Sequence, residues 1–348
     1  MIDVADDVTT PVAASPATSP APGPAARATT ARAAGPGGGR RRGARSQLRK
    51  RLEIVFFVAP ALLLFLMFVL VPMATAVQMS VYKWKGIGPL VDFVGLKNYV
   101  TVLTSEAFTE ALVHNLIVVV LSIAIQLPLG LAIALLLNRE MWGQGILRTI
   151  IFVPYVLAEV VAGVIWAQLL VPEYGVLDAI SAAIGLPTPE QGWLGDSELA
   201  LGTVMVVLTW KYLGLAVILF LAGLQGVPEE LYEAAKLDGA SWWQVQRRIA
   251  IPLLGPTLRT WAFLSMIGSL QLFDMVWILT RGGPANATST MATFLITEGT
   301  ERNNFGTAGA ASVILFVIAL TMAVLYQQLI MRQDTRSDVP RVARRRSR

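Results

Sequence analysis

Six stretches of the chain are apolar over a length that matches a bilayer crossing, which takes about 20 residues. Ile54–Tyr82, Ala111–Asn138 and Asn303–Met331 contain no Asp, Glu, Lys or Arg at all. Thr149–Pro172, Leu199–Pro228 and Thr260–Thr280 contain one each: Glu159, Lys211 and Asp274. A helix of a water-soluble protein keeps one polar face, and these windows have none. The pattern predicts an all-α membrane protein with six transmembrane helices. Between them, Lys83–Glu110 reads as an ordered connection, and Ala179–Leu186 as a short helix lying outside the spans.

Composition agrees with the pattern. Only 15 % of the 348 residues are charged and the mean hydropathy is +0.60, whereas soluble domains carry about 25 % charged residues. Cysteine is absent and His114 is the single histidine, which removes disulfides, thiolate metal sites and Ser–His relays; no metal site is expected. Charge then sets orientation. With both termini cytoplasmic, 22 of the 28 Lys and Arg fall on the inner side, the bias that fixes membrane topology. Residues 1–48, rich in Ala, Pro, Gly and Arg, read as a disordered cytoplasmic tail. Residues 49–332 form the membrane domain, and 333–348 a second basic tail. Ala74-Thr75-Ala76 resembles a signal-peptidase site, but the apolar run before it is too long for a signal peptide. The basic cluster Arg40–Arg51, placed directly before a span, serves topology and anionic lipid rather than nucleic acid.

The segment between the fourth and fifth spans has its own grammar. Pro228, Glu229 and Glu230 suit a helix start, and Leu231, Ala234, Ala235 and Asp238 share a face whose alanines allow close approach. Gly239 suits a helix stop. Ser241-Trp242-Trp243-Gln244 has capping-box spacing, and Pro252 and Pro256 are expected to end the second helix. The prediction is a helical elbow over residues 223–256.

Glu233-Ala234-Ala235, Gly239, Ile249 and Pro252 at these spacings resemble the EAA loop of binding-protein-dependent ABC importer permeases. Leu221–Gln225, Tyr232–Ala240, Phe273-Asp274, Leu279-Thr280, Gly282-Gly283-Pro284 and Thr288 resemble its carbohydrate-uptake branch, the maltose and glycerol-3-phosphate type. Ile251 departs from the family's Leu and conserves its volume. The resemblance covers about residues 50–332. It implies a type I permease fold in a bacterial plasma membrane. It also implies a second permease, two ATPase subunits and an extracytoplasmic binding protein as partners, with a sugar as substrate. The resemblance further implies no cofactor in this chain, with ATP bound by the partners, and no G-x-x-x-x-G-K-[ST] loop occurs here. By the same resemblance Glu233 anchors the ATPase, Ala234 and Ala235 make the close contact, Asp238 shares that face, and Gly239 turns the chain. Ile249 and Pro252 complete the docking loop.

Charged residues inside spans face cavities or partners. Glu159 and Lys211 are expected to pair, and exchanging them to restore function lost in single variants. Gln271, Phe273 and Asp274 are candidates for the path, where a sugar needs hydrogen-bonding groups beside aromatic faces of the kind that Tyr155, Trp166, Trp210, Tyr212 and Trp277 offer. Importing glycerol-3-phosphate or another polar solute is the alternative within transport. An intramembrane enzyme lacks its residues, and a proton-coupled carrier has no use for the elbow.

Overall fold

A computed structural model describes residues 53–139, 141–185 and 187–331. The expected tails, 1–48 and 333–348, lie outside the described residues. The chain divides into Met1–Leu64 and Phe65–Arg348. In the first unit residues 53–64 are helical with their side chains exposed.

The described residues form helices, with one isolated antiparallel bridge between Tyr82 and Phe93. In chain order these are α1 (Glu53–Ser80), α2 (Lys97–Leu103), α3 (Glu106–Leu137), α4 (Gln144–Val156) and α5 (Glu159–Leu169). Then come α6 (Val176–Ala183), α7 (Ala200–Gln225), α8 (Glu229–Leu237), α9 (Trp242–Val245) and α10 (Gly255–Leu270). The last are α11 (Asp274–Leu279), α12 (Met291–Ile296) and α13 (Phe305–Met331). Among the described residues α1, α3, α7 and α13 are long and apolar enough to cross a membrane, and α4 with α5 makes a fifth crossing if the pair, bent by 100°, is one span.

Two apolar windows are therefore not continuous helices. Thr149–Pro172 breaks between α4 and α5. Thr260–Thr280 breaks at Gln271-Leu272-Phe273, between α10 and α11. Hydropathy reports compatibility with lipid; backbone continuity depends on what satisfies the peptide groups, and the two part company here. The short helix expected at Ala179–Leu186 is α6, which starts three residues earlier. Asp178 in its first turn accepts from the Glu173 N–H (2.8 Å) and the Trp193 indole (2.7 Å) and so sets the start.

Three prolines share one accommodation. Pro72, Pro128 and Pro252 each stand two residues after a widened π-helical turn, at Leu66–Leu70, Ser122–Gln126 and Gln246–Ala250. A proline inside an α-helix lacks its N–H, and its ring clashes with the carbonyl four residues back. Those carbonyls belong to Phe68, Ala124 and Arg248, each in the widened turn. Opening the turn lets the helix continue. Pro252 therefore does not end the second elbow helix as the sequence suggested. The chain passes from α9 through the widened turn and Ile251–Leu253 into α10, where Pro256 sits in the first turn with no intrahelical bond to lose.

Among the described residues the core has three buried clusters, and α3 contributes to each of them. Leu135 packs with Val217, Phe220, Leu224, Leu254 and Trp261. Val118 packs with Val204, Leu208, Met275 and Val276. Phe108 packs with Val102, Leu270, Met291 and Phe294. Helix α7 crosses α4 so tightly that a Cβ at Gly214 would stand 2.5 Å from the Ile151 carbonyl oxygen. Gly214→Val should destabilise the protein by about 1–3 kcal/mol through overpacking, read as a lower Tm of the detergent-purified protein.

Candidate functional site

The break between α4 and α5 begins with Pro154, inside α4, and ends at Leu157 and Ala158, both extended (ψ 141° and 144°). Such a break leaves carbonyls without intrahelical partners, which is costly in a bilayer. Lys211, from the middle of α7 and 1 % exposed, takes them up. Its Nζ donates to the carbonyls of Pro154 (3.1 Å), Tyr155 (3.1 Å) and Leu157 (2.5 Å). An ammonium has three donors, and all three are used. Glu159 begins α5, where the helix dipole favours an anion. Its Oε1 lies 3.5 Å from Lys211 Nζ and accepts from the Tyr212 hydroxyl at 3.1 Å. Lys211 thus holds the negative end of one helix while its neighbour Tyr212 holds the anion at the positive end of the next.

This geometry revises the charge-exchange expectation. A glutamate at 211 would aim its oxygens at three carbonyl oxygens, so exchanging Glu159 and Lys211 should not restore what either single change removes.

The second break is held by uncharged groups. Asn115, fully buried in α3, donates to the Ser269 carbonyl at the end of α10 (2.6 Å) and accepts from the Met291 N–H at the start of α12 (2.8 Å). The Thr290 hydroxyl donates to the Leu272 carbonyl (2.7 Å), and His114 Nδ1 lies 3.0 Å from the Ser289 carbonyl oxygen. Of the candidate path residues here, Gln271 and Asp274 are exposed, and Phe273 is half-buried and stacks on Trp277 at 5.4 Å. Glu159 and Lys211 are brought together; Gln271, Phe273 and Asp274 lie around the second break, where α11 packs on α5 through Ile278 against Gly163.

A cavity of about 120 Å³ lies between α3, α7 and α10. Ser122, Gln126, Tyr212, Trp261, Ser265 and Ser269 give its lining polar and aromatic character, and no charged side chain lines it. Tyr212 belongs both to this lining and to the Glu159 hydrogen bond. Sequence reading named Tyr212 only as one of several aromatics and missed Ser122, Gln126 and Ser265. The available signal was two pairs of uncharged polar residues four apart, Ser122 with Gln126 and Ser265 with Ser269, inside otherwise apolar helices.

The elbow forms as its caps direct. Glu229 and Glu230 open α8, and Pro228 sits one residue earlier than anticipated, at the cap. The Gly239 N–H donates to the Lys236 carbonyl (3.0 Å) and the Ala240 N–H to that of Ala235 (2.9 Å), a Schellman closure with Gly239 at φ +74°. Ser241 and Gln244 make the reciprocal capping box. Glu233, Ala234, Asp238, Gly239 and Pro252 are exposed and Ile249 is half-buried. Ala235 is 8 % exposed and faces this chain's own interior, so the two alanines do not present one common outer surface. Tyr232 packs on the cluster around Leu224 and Leu254, and burial pushes its phenol up. Leu237 is 88 % and Trp243 58 % exposed on the same elbow.

The family profile described as "Binding-protein-dependent transport system inner membrane component" matches residues 126–337, which includes the broken helix, the cavity's α7 and α10 walls and the whole elbow. The chain belongs to that family. It is a family of transport permeases rather than of enzymes, and its members carry no cofactor of their own. A probable ABC transporter permease of Pyrococcus horikoshii is 36 % identical over 274 residues, 78 % of this chain and 94 % of that one. The diacetylchitobiose uptake system permease NgcF of Streptomyces coelicolor is 33 % identical over 82 % of this chain and 85 % of its own length. The trehalose/maltose transport system permease MalF of Thermococcus litoralis is 31 % identical over 77 % and 90 %. A chain of the bacterial alginate ABC transporter, solved in complex with its alginate-bound periplasmic protein, has the same fold, with a TM-score of 0.73 over 82 % of this chain and 96 % of that one at 23 % identity.

Within this permease, Lys211→Met would leave the break's carbonyls and the Glu159 carboxylate without their cation, a change worth about 3–5 kcal/mol. Asn115→Ala should cost about 1–3 kcal/mol through unsatisfied backbone groups. Both are expected as losses of Tm in the purified protein, the first larger than the second.

Proposed function

We propose that this chain is one of two permease subunits of an ATP-driven sugar importer of a bacterial plasma membrane. A binding protein delivers the sugar at the outer mouth, one of two ATPase subunits grips the elbow, and the solute passes through the cavity between α3, α7 and α10. The observation that carries the reading is the exposed, doubly capped elbow, Glu233 to Gly239, in a family member without a phosphate loop of its own. Glu233 and Ala234 offer the ATPase a charged anchor beside a small side chain, and Asp238 and Gly239 form the turn. The six apolar windows correspond to six crossings, two of them broken, with both termini cytoplasmic; the distribution of Lys and Arg supports that orientation.

Sugar as substrate is supported by the permeases named for diacetylchitobiose and for trehalose and maltose. The cavity's hydroxyls, amide and Trp261 and Tyr212 rings supply hydrogen bonds and aromatic faces suited to a neutral sugar. A phosphate ester would want a free cation, and Lys211 is committed to three carbonyls and Glu159.

Reconstitution with the second permease, the ATPases and a sugar-loaded binding protein should give uptake that needs every component. Gly239→Pro or Glu233→Lys should abolish that uptake while the permease stays at normal level in the membrane. Uptake at the wild-type rate by either variant would remove the docking assignment. Tyr212→Phe should raise the KM for uptake several-fold, with ATP hydrolysis still stimulated by the loaded binding protein.

A further inference from the structure

The elbow is covalently continuous with α7, through Gly226-Val227-Pro228, and with α10. It has no chain connection to α4, the helix whose far end is the break held by Lys211. Two sets of contacts nevertheless join them. One is the tight crossing of Gly214 on Ile151 and Phe152, in the middle of α4. The other runs through the connection between α3 and α4. The Arg139 guanidinium lies 3.8 Å from the ring centroid of Trp242, the first residue of α9. Two residues earlier, the Leu137 carbonyl at the end of α3 accepts from Gln144 Nε2 (2.5 Å) and Arg148 Nη2 (3.3 Å). Gln144 and Arg148, four apart, share one face at the start of α4.

A rigid helix held at one point can pivot there; held at two points it follows its supports. Helix α4 is about 20 Å long at 1.5 Å per residue. Its middle is fixed to α7, and its first turn is fixed, through Leu137 and Arg139, to Trp242. We propose that the Arg139–Trp242 contact is a clamp that makes α4 follow the elbow, so that a movement imposed on the elbow tilts α4 and reaches the break at Leu157-Ala158. The proposal rests on the elbow being the ATPase docking element. It adds that Arg139 and Trp242 are positioning residues for transport, acting at a site other than the exposed Glu233–Gly239 surface.

The test uses the complete complex in proteoliposomes, with sugar uptake and ATP hydrolysis measured on the same vesicles. Arg139→Gln and Trp242→Leu should each leave the ATPases co-purifying and hydrolysis stimulated to within about twofold of wild type, while sugar moved per ATP falls about five- to tenfold. The double variant should be no worse than either single, as for two residues acting through one contact. Arg139→Lys, which keeps a cation over the ring, should recover part of the loss. Unchanged sugar per ATP in both singles, or losses that multiply in the double, would overturn the clamp. Loss of ATPase co-purification in Arg139→Gln would also overturn it, since the residue would then only maintain the docking surface. Gly239→Pro separates the two ideas: ATPases that remain bound and active on that variant refute the docking reading, whatever the clamp variants do.

Discussion

A peptide group that loses its helical partner inside hydrocarbon has no water to turn to. That constraint organises this membrane domain. Both interrupted windows leave carbonyls without helical partners, and at each a long-range side chain from a neighbouring helix answers: Lys211 from α7 and Asn115 from α3. The first solution is ionic and brings a counterion, Glu159, with it. The second is neutral and uses both ends of an amide, one on α10 and the other on α12. The breaks, the burial of these polar groups and the position of the cavity belong to one arrangement, because non-helical backbone is tolerated only where protein surrounds it.

The same arrangement explains why Tyr212 sits where chemistry is available. Its hydroxyl is spent as a donor on Glu159, so towards the cavity it presents ring and oxygen lone pair. Glu159 in turn is kept in place by Lys211, whose position is set by the carbonyls of Pro154, Tyr155 and Leu157. A group in the cavity wall is thus oriented by the backbone of a broken helix, and reshaping that break would reshape the lining. Fixed first groups supported by a second layer of contacts are what selective sites need.

The helical class and the elbow were legible in the sequence because both rest on local chemistry. Apolar runs mark lipid exposure, and caps such as Ser241 with Gln244, or Gly239 after Lys236-Leu237-Asp238, act within a few residues. The breaks were not legible, since a run such as Thr260–Thr280 keeps its apolar character whether or not its backbone is continuous. Their partners lie far along the chain: Lys211 is 57 residues from Pro154 and Asn115 is 154 from Ser269. Pro252 misled for a related reason, as the widened turn that absorbs it is a property of backbone geometry rather than of any residue type. The inward aim of Ala235 escaped notice because a helix face says nothing about which side its own protein already covers.

The close of α8 carries one more implication. A methyl group on Gly239 would find nothing within 4 Å, so the bend there is dictated by dihedral angle and two main-chain bonds, with no neighbouring side chain involved. The outward surface of the protrusion is thereby released from any duty to its own architecture. Its exposed residues can change while the bend that presents them stays the same.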